Sequence, residues 1–224
     1  MRSRLVRSAM LLGMLCVSVV FACAQSRAAE KLDGTAGGQE AAPVKQFDPA
    51  VTKVAVIPFV NELGKQDKEQ KEACQHATEF AASLFAKRGF QVADPKAVIE
   101  AVEKLKLDFK DAEERNRENF QKLADELQAG LVVFGVVSEF STYTHMTFLD
   151  SCKVGKAKAE VRVYDPTAKS YCVSLVQLSE KQGPRIGWGL ANSLALRRHA
   201  LEIAIDTILK GVLKPYPEKP AIKK

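Results

Sequence analysis

The chain has 224 residues, 46% of them hydrophobic and 27% charged, with 33 Lys and Arg against 27 Asp and Glu for a net charge of +6. That balance is ordinary for a folded protein and excludes collagen-like, mucin-like and wholly disordered chains. The length suits one domain with short appendages and is too short for two large ones.

Arg2, Arg4 and Arg7 form a basic start, and residues 9–22 (AMLLGMLCVSVVFA) are almost wholly apolar. This run of about 14 residues falls short of the roughly 20 that cross a hydrocarbon core, so residues 1–23 are expected to be a secretory leader. No later stretch is apolar enough to span a membrane. Residues 1–22 carry three arginines and no acid; without them 30 basic residues face 27 acidic ones, a net charge of +3. A domain of that charge carries no strong electrostatic case for nucleic acid, and none is expected as a partner.

Two processing routes stay open. Residues 20–23 (VFAC) resemble a bacterial lipobox, and cleavage there leaves Cys23 as an acylated N-terminus. Each buried acyl CH₂ adds about 0.8 kcal/mol of membrane affinity. Alternatively, residues 22–24 (ACA) form an A-x-A site and release a soluble product beginning at Gln25. The first route gives an outer-membrane lipoprotein facing the periplasm, the second a soluble periplasmic protein.

Residues 24–50 are rich in Ala, Gly, Gln and single charges and are expected to be a flexible linker. The folded body is placed at 51–213. Residues 53–59 (KVAVIPF) read as a strand covered on both faces, ended by Pro58. Residues 67–88 read as a helix with Ala77, Ala81 and Leu84 on one stripe, stopped by Gly89. Residues 90–93 form a second strand, and Asp94-Pro95 opens a short helix carrying Val98, Ile99, Val102 and Leu105. A further helix is expected over 111–128, then a strongly apolar strand at 131–137 (LVVFGVV). From there the period changes. Residues 156–165 and 171–180 alternate as half-wet antiparallel strands joined by the turn Asp165-Pro166-Thr167. Residues 183–189 form a loop, 192–213 a long helix striped by Leu194, Leu201, Ala204, Ile205, Ile208 and Val212, and 214–224 a Pro/Lys-rich tail.

The order is β-α-β-α-α-β, then a β-hairpin, then α. Helical crossovers imply parallel pairing of the first three strands, and the last two add as a meander. The fold class is α/β, a mixed five-stranded sheet with helices packed on it.

VAVIPF at the start, LADELQAGLVVFGVVSEF in the middle, and AEVRVYDPTAKSYCVSLVQ before a C-terminal helix together give a resemblance. The chain resembles the group of the curli secretion-channel lipoproteins, the penicillin-binding-protein activator lipoprotein B and the N-terminal domain of the translocation protein TolB. It does so over about 51–213, in order and apolar texture. The resemblance implies an anticodon-binding-domain-like fold and a non-enzymatic envelope protein. The curli-type channel inserts two β-hairpins per subunit, whereas only Thr142 to Ala157 separate the alternating strand from the one before it, too little for two.

No catalytic constellation is present. His76, His145 and His199 are separated, and H-E-x-x-H, G-x-S-x-G, G-x-G-x-x-G after a strand and the phosphate-binding G-x-x-x-x-G-K-[ST] are all missing. No cofactor or metal ligand set is expected, and C-x-x-C is absent, which removes zinc-ribbon and thioredoxin readings. Cys16 leaves with the leader. Cys74, Cys152 and Cys172 allow at most one internal bridge; Cys74 with Cys152 is one option and isolated thiols the other. Cys172 falls opposite about Arg162 in the hairpin, too far from Cys152 to bridge directly.

The expected role is a partner-binding envelope module in assembly, export or wall-synthesis regulation. The alternatives are a homo-oligomeric secretion component of curli-exporter type and a soluble periplasmic ligand-binding protein. Candidate partner contacts are Trp188, the one tryptophan, set between glycines; Arg197 and Arg198, which flank the middle of the last helix's apolar stripe and must pair, snorkel or meet a partner; and Tyr143, His145 and Phe148, in a segment that can accept another strand. Lys153, Lys156 and Lys158 read as a solvated face.

Overall fold

The computed structural model describes residues 46–62, 68–146, 151–183 and 192–213. The expected leader, most of the linker and the tail at 214–224 lie outside these residues.

β1 (Lys53–Val56) sends Val54 and Val56 into one core and Ala55 into another, so both of its faces are covered. The single strand expected over 53–59 is interrupted. Pro58 has no N–H to give a ladder. The Phe59 N–H turns to Thr78 Oγ1 at 2.9 Å, and pairing resumes only at β2 (Val60–Asn61). α1 (Lys68–Lys87) follows and ends before Gly89, whose φ of 87° favours a residue without Cβ. β3 (Gln91–Val92) leads to α2 (Pro95–Lys104), capped by the Asp94 carboxylate on the Lys96 N–H.

α3 (Arg117–Leu127) starts six residues later than the expected helix over 111–128. Asn116 caps it through the Asn119 N–H at 3.0 Å, and an N-cap residue holds non-helical dihedrals. Ahead of it, Arg115 is buried. Its Nε donates to the Phe109 carbonyl and its Nη2 to the Lys110 carbonyl, both at 2.9 Å, while Nη1 pairs with Glu62. A continuous helix would pull that fork apart.

The remaining elements are β4 (Leu131–Met146), β5 (Ser151–Asp165), β6 (Ser170–Gln182) and α4 (Ser193–Leu209). The sheet order is β3-β1-β4-β5-β6, with β2 continuing β1 against β4. β1 runs parallel to β3 and β4, and β4, β5 and β6 are antiparallel to one another. This is the mixed α/β sheet read from the sequence, with β2 as a short additional strand. The β5–β6 turn is held by Asp165 Oδ1, which accepts from the Thr167 and Ala168 N–H groups.

One face of the sheet is covered by α1 and α4. Ala77, Ala81, Phe85, Leu201, Ile205 and Leu209 pack there against Val133, Val161 and Val163. The other face is covered by α2 and α3, where Val98, Phe120 and Leu123 meet Ile57, Val132, Phe134 and Tyr164. Phe47 belongs to the first core, so the ordered body begins before residue 51 and takes in the end of the stretch read as linker. Cys74 and Cys152 are free thiols, so the bridge between them does not form, and the Cys172 thiol donates to the Val163 carbonyl at 3.3 Å.

Candidate docking surface

The strand expected at 131–137 continues to Met146, and its partner starts at Ser151 rather than 156. β2 makes its last pair at Asn61 with Val137, but β4 and β5 stay paired out to Met146 and Ser151. The end of the sheet is therefore an arm of β4, β5 and β6 that outruns β1 and β2.

Side chains on a strand alternate between faces. On β5, Ala157, Ala159, Val161 and Val163 enter the core under α4, so Lys156, Lys158, Glu160 and Arg162 point the other way. That second face is apolar near α3, where Phe120 packs on Tyr164 and Tyr171 at centroid distances of 6.0 and 5.9 Å. The core under α2 and α3 reaches no further along the strands than Val136, Tyr164 and Tyr171. Beyond it, the second face of the arm carries Lys158, Val176, Leu178 and Glu180, all exposed.

Tyr143 and His145 sit on this face, which no helix covers among the described residues. Tyr143 lies opposite Val154, and its hydroxyl donates to Glu180 Oε2 at 3.1 Å, so its ring crosses β5 from β4 to β6. Desolvation, then the hydrogen bond and the negative charge of Glu180, raise the Tyr143 phenol above its ordinary pKa. His145 is exposed opposite the buried Cys152. Lys156 pairs with Glu139 at 3.2 Å, and Arg162 with Glu160. Of the three lysines read as a solvated face, Lys158 is exposed, while Lys153 and Lys156 are half-buried.

Arg197 and Arg198 lie on the opposite side, and the structure pairs both with α1. The Arg197 guanidinium stands 4.9 Å over the Phe140 ring and donates to Glu69 Oε2 at 2.9 Å. Arg198 meets Glu72 at 3.6 Å. Among the described residues neither Nε has a hydrogen-bond partner. Glu202 meets His76 at 2.9 Å, a third polar tie between α1 and α4, and His199 of its own helix at 3.2 Å. Cys23, Trp188 and Phe148 lie outside the described residues. The structure thus brings Tyr143 and His145 together and separates them from the arginine pair by the thickness of the sheet.

The sequence reading did not single out β6. Leu175, Val176 and Leu178 are 55, 54 and 45% exposed. The available signal was the adjacent Leu175-Val176: in an alternating strand with one buried face, two consecutive large apolar residues cannot both point inward.

No protein-family model matches the chain, and no curated protein matches it. Solved structures do. The lipoprotein GNA1162 from Neisseria meningitidis is 20% identical, with a TM-score of 0.46 over 71% of this chain and 99% of that one. Protein CT253 from Chlamydia trachomatis is 18% identical, with a TM-score of 0.47 over 74% and 99%. The LpoB C-terminal domain from Escherichia coli is 14% identical, with a TM-score of 0.40 over 60% and 86%.

Proposed function

We propose that the chain is a non-catalytic protein-binding module of the cell envelope. It is exported by its leader, held at a membrane through acylated Cys23, and docks another envelope protein on the helix-free face of β4–β6. The process it serves is assembly, export or regulation of wall synthesis. The observation that carries this reading is the arm itself. A sheet normally covers its apolar faces with helices, and here three long strands continue past their helical cover on one side. The exposed residues there mix an aromatic ring, aliphatic groups and paired charges. Mixed chemistry of that kind suits a protein surface better than a polyanion, and the +3 charge of residues 23–224 points the same way.

In-cell photo-crosslinking tests it. A photoreactive residue replacing Lys158 is expected to capture a defined envelope protein, and one replacing the exposed Gln75 on α1 is not. Equal capture from both positions, or none from Lys158, overturns the docking face. Palmitate incorporation into the wild type and its loss in Cys23→Ser test the anchor; an unlabelled wild type removes the lipid and leaves a soluble periplasmic module.

A further inference from the structure

We propose that β6 is the joint of a two-fold dimer, in which a second copy of this chain adds its own β6 antiparallel to this edge with Val176 facing the second copy's Val176. The inference goes beyond the docking reading: it concerns the edge of the sheet, and it shares with the docking face only side chains of β6, not Lys158 or Tyr143.

The backbone supplies the first argument. β6 ends the sheet order, and among the described residues no strand lies beyond it. The Gly183 N–H donates to the Lys153 carbonyl at 2.8 Å, one step past the pair Val154–Gln182. Opposite residues in an antiparallel ladder alternate between exchanging hydrogen bonds and exchanging none. Residue 183 bonds to β5, so the odd-numbered residues of β6 from Val173 onward do as well. The even-numbered Ser174, Val176, Leu178 and Glu180 therefore aim their N–H and C=O groups outward, along an open edge.

The side chains supply the second. Edge strands are normally blunted by charge, proline or brevity. β6 is 13 residues long, and residues 171–179 (YCVSLVQLS) carry neither charge nor proline. Leu175, Val176 and Leu178 are about half exposed along that run. The bulge at Cys172 lies near one end and leaves the middle regular.

Symmetry chooses the occupant. A two-fold axis perpendicular to the sheet keeps each face on its own side, so facing residues must share parity and the axis must pass beside one residue of the strand. Val176 is the midpoint of Ser170–Gln182, and only that centre uses the full strand. Ser174 then faces the second copy's Leu178, Leu175 faces its Gln177, Glu180 its Cys172 and Lys181 its Tyr171. No two charges stand opposite one another, whereas a centre at Glu180 would set two carboxylates face to face. The three central even-numbered pairs exchange about six backbone hydrogen bonds. Val176 and Leu178 of both copies close into one apolar strip.

The test uses the full exported chain purified in mild detergent. Native mass spectrometry is expected to give two copies, and Val176→Lys, which sets two ammonium groups together at the axis, one. Val176→Cys is expected to yield a disulfide-linked dimer on mild oxidation while Leu178→Cys and the wild type do not. Facing Cα atoms at about 5.5 Å lie within disulfide range. Ser174→Lys with Leu178→Lys is expected to weaken the dimer at least tenfold, and Ser174→Lys with Leu178→Glu to restore it. Amide exchange guards against misfolding: the Val173, Leu175 and Gln177 amides stay slow in every variant, while those of Val176 and Leu178 become fast only when the dimer is lost. A monomer at all concentrations, a larger ring, or equal cross-linking through Leu178→Cys overturns the proposal.

Discussion

Cys74 shows how one buried group couples this fold to pH. It faces the core from α1, and burial pushes its thiol from an ordinary value of 9.0 up to about 11. The folded chain thus holds the thiol proton more tightly than the unfolded one. That contribution to stability is fully present below pH 9 and is lost as pH rises toward 11. The stability advantage of the wild type over Cys74→Ala, measured by urea titration, is expected to hold constant from pH 7 to pH 8.5 and to shrink between pH 9 and pH 11; a constant advantage up to pH 11 removes the argument. Other residues show where sequence reading stops. Arg115 reads as one more polar residue of a helix, because its pattern carries no trace of the carbonyls of Phe109 and Lys110 that it bridges. Arg197 was legible as a conflict, a charge beside an apolar stripe. Its resolution by Glu69 and the Phe140 ring depends on residues 128 and 57 positions away in the chain.

Between elements, the seating of α4 on β5 turns on a missing side chain. A Cβ at Gly155 would lie 2.4 Å from the Leu196 carbonyl carbon and 2.6 Å from the Arg197 nitrogen. Both are helix backbone, so neither can swing aside. Gly155→Ala must lift the first turns of α4 or bend the arm, and overpacking of this kind costs about 1–3 kcal/mol. The expected result is a lowered Tm together with weakened pairing of Arg197 with Glu69, read as a smaller cost of Glu69→Gln in the Gly155→Ala background than in the wild type. An unchanged Tm would mean that the helix does not rest on that glycine. The elements themselves were legible where one period holds throughout: α1 and α4 from their stripes, and the first half of β4 from its unbroken apolar run. The second half of β4 was not. Residues 141–146 (STYTHM) lack a regular apolar face, and among the described residues no helix covers one of their sides.

The described residues form one sheet with two separate cores. Ile205 is fully buried under α4 on one face, and Leu123 is fully buried under α3 on the other. β1 and β4 serve both cores at once, since Val54 and Val133 feed the first while Ala55 and Val132 feed the second. Neither core can melt without releasing strands that the other needs, so the two should unfold in one step. Each large-to-small change, Ile205→Ala or Leu123→Ala, is expected to cost about 2–5 kcal/mol from lost burial and the cavity left behind. Because the two side chains share no partner across the sheet, their costs in the double variant should add to within about 0.5 kcal/mol. Measured at a concentration where the dimer is dissociated and in a Tyr143→Phe, Trp188→Phe, Tyr216→Phe background, tyrosine fluorescence, which then reports Tyr164 and Tyr171 under α3, and far-UV circular dichroism, which reports α1 to α4 together, should give one midpoint for each variant. Two midpoints in Ile205→Ala, with the tyrosine signal melting later, would show that the α2–α3 side holds β1 and β4 together without α1 and α4, and that the sheet does not weld its two faces into one cooperative unit.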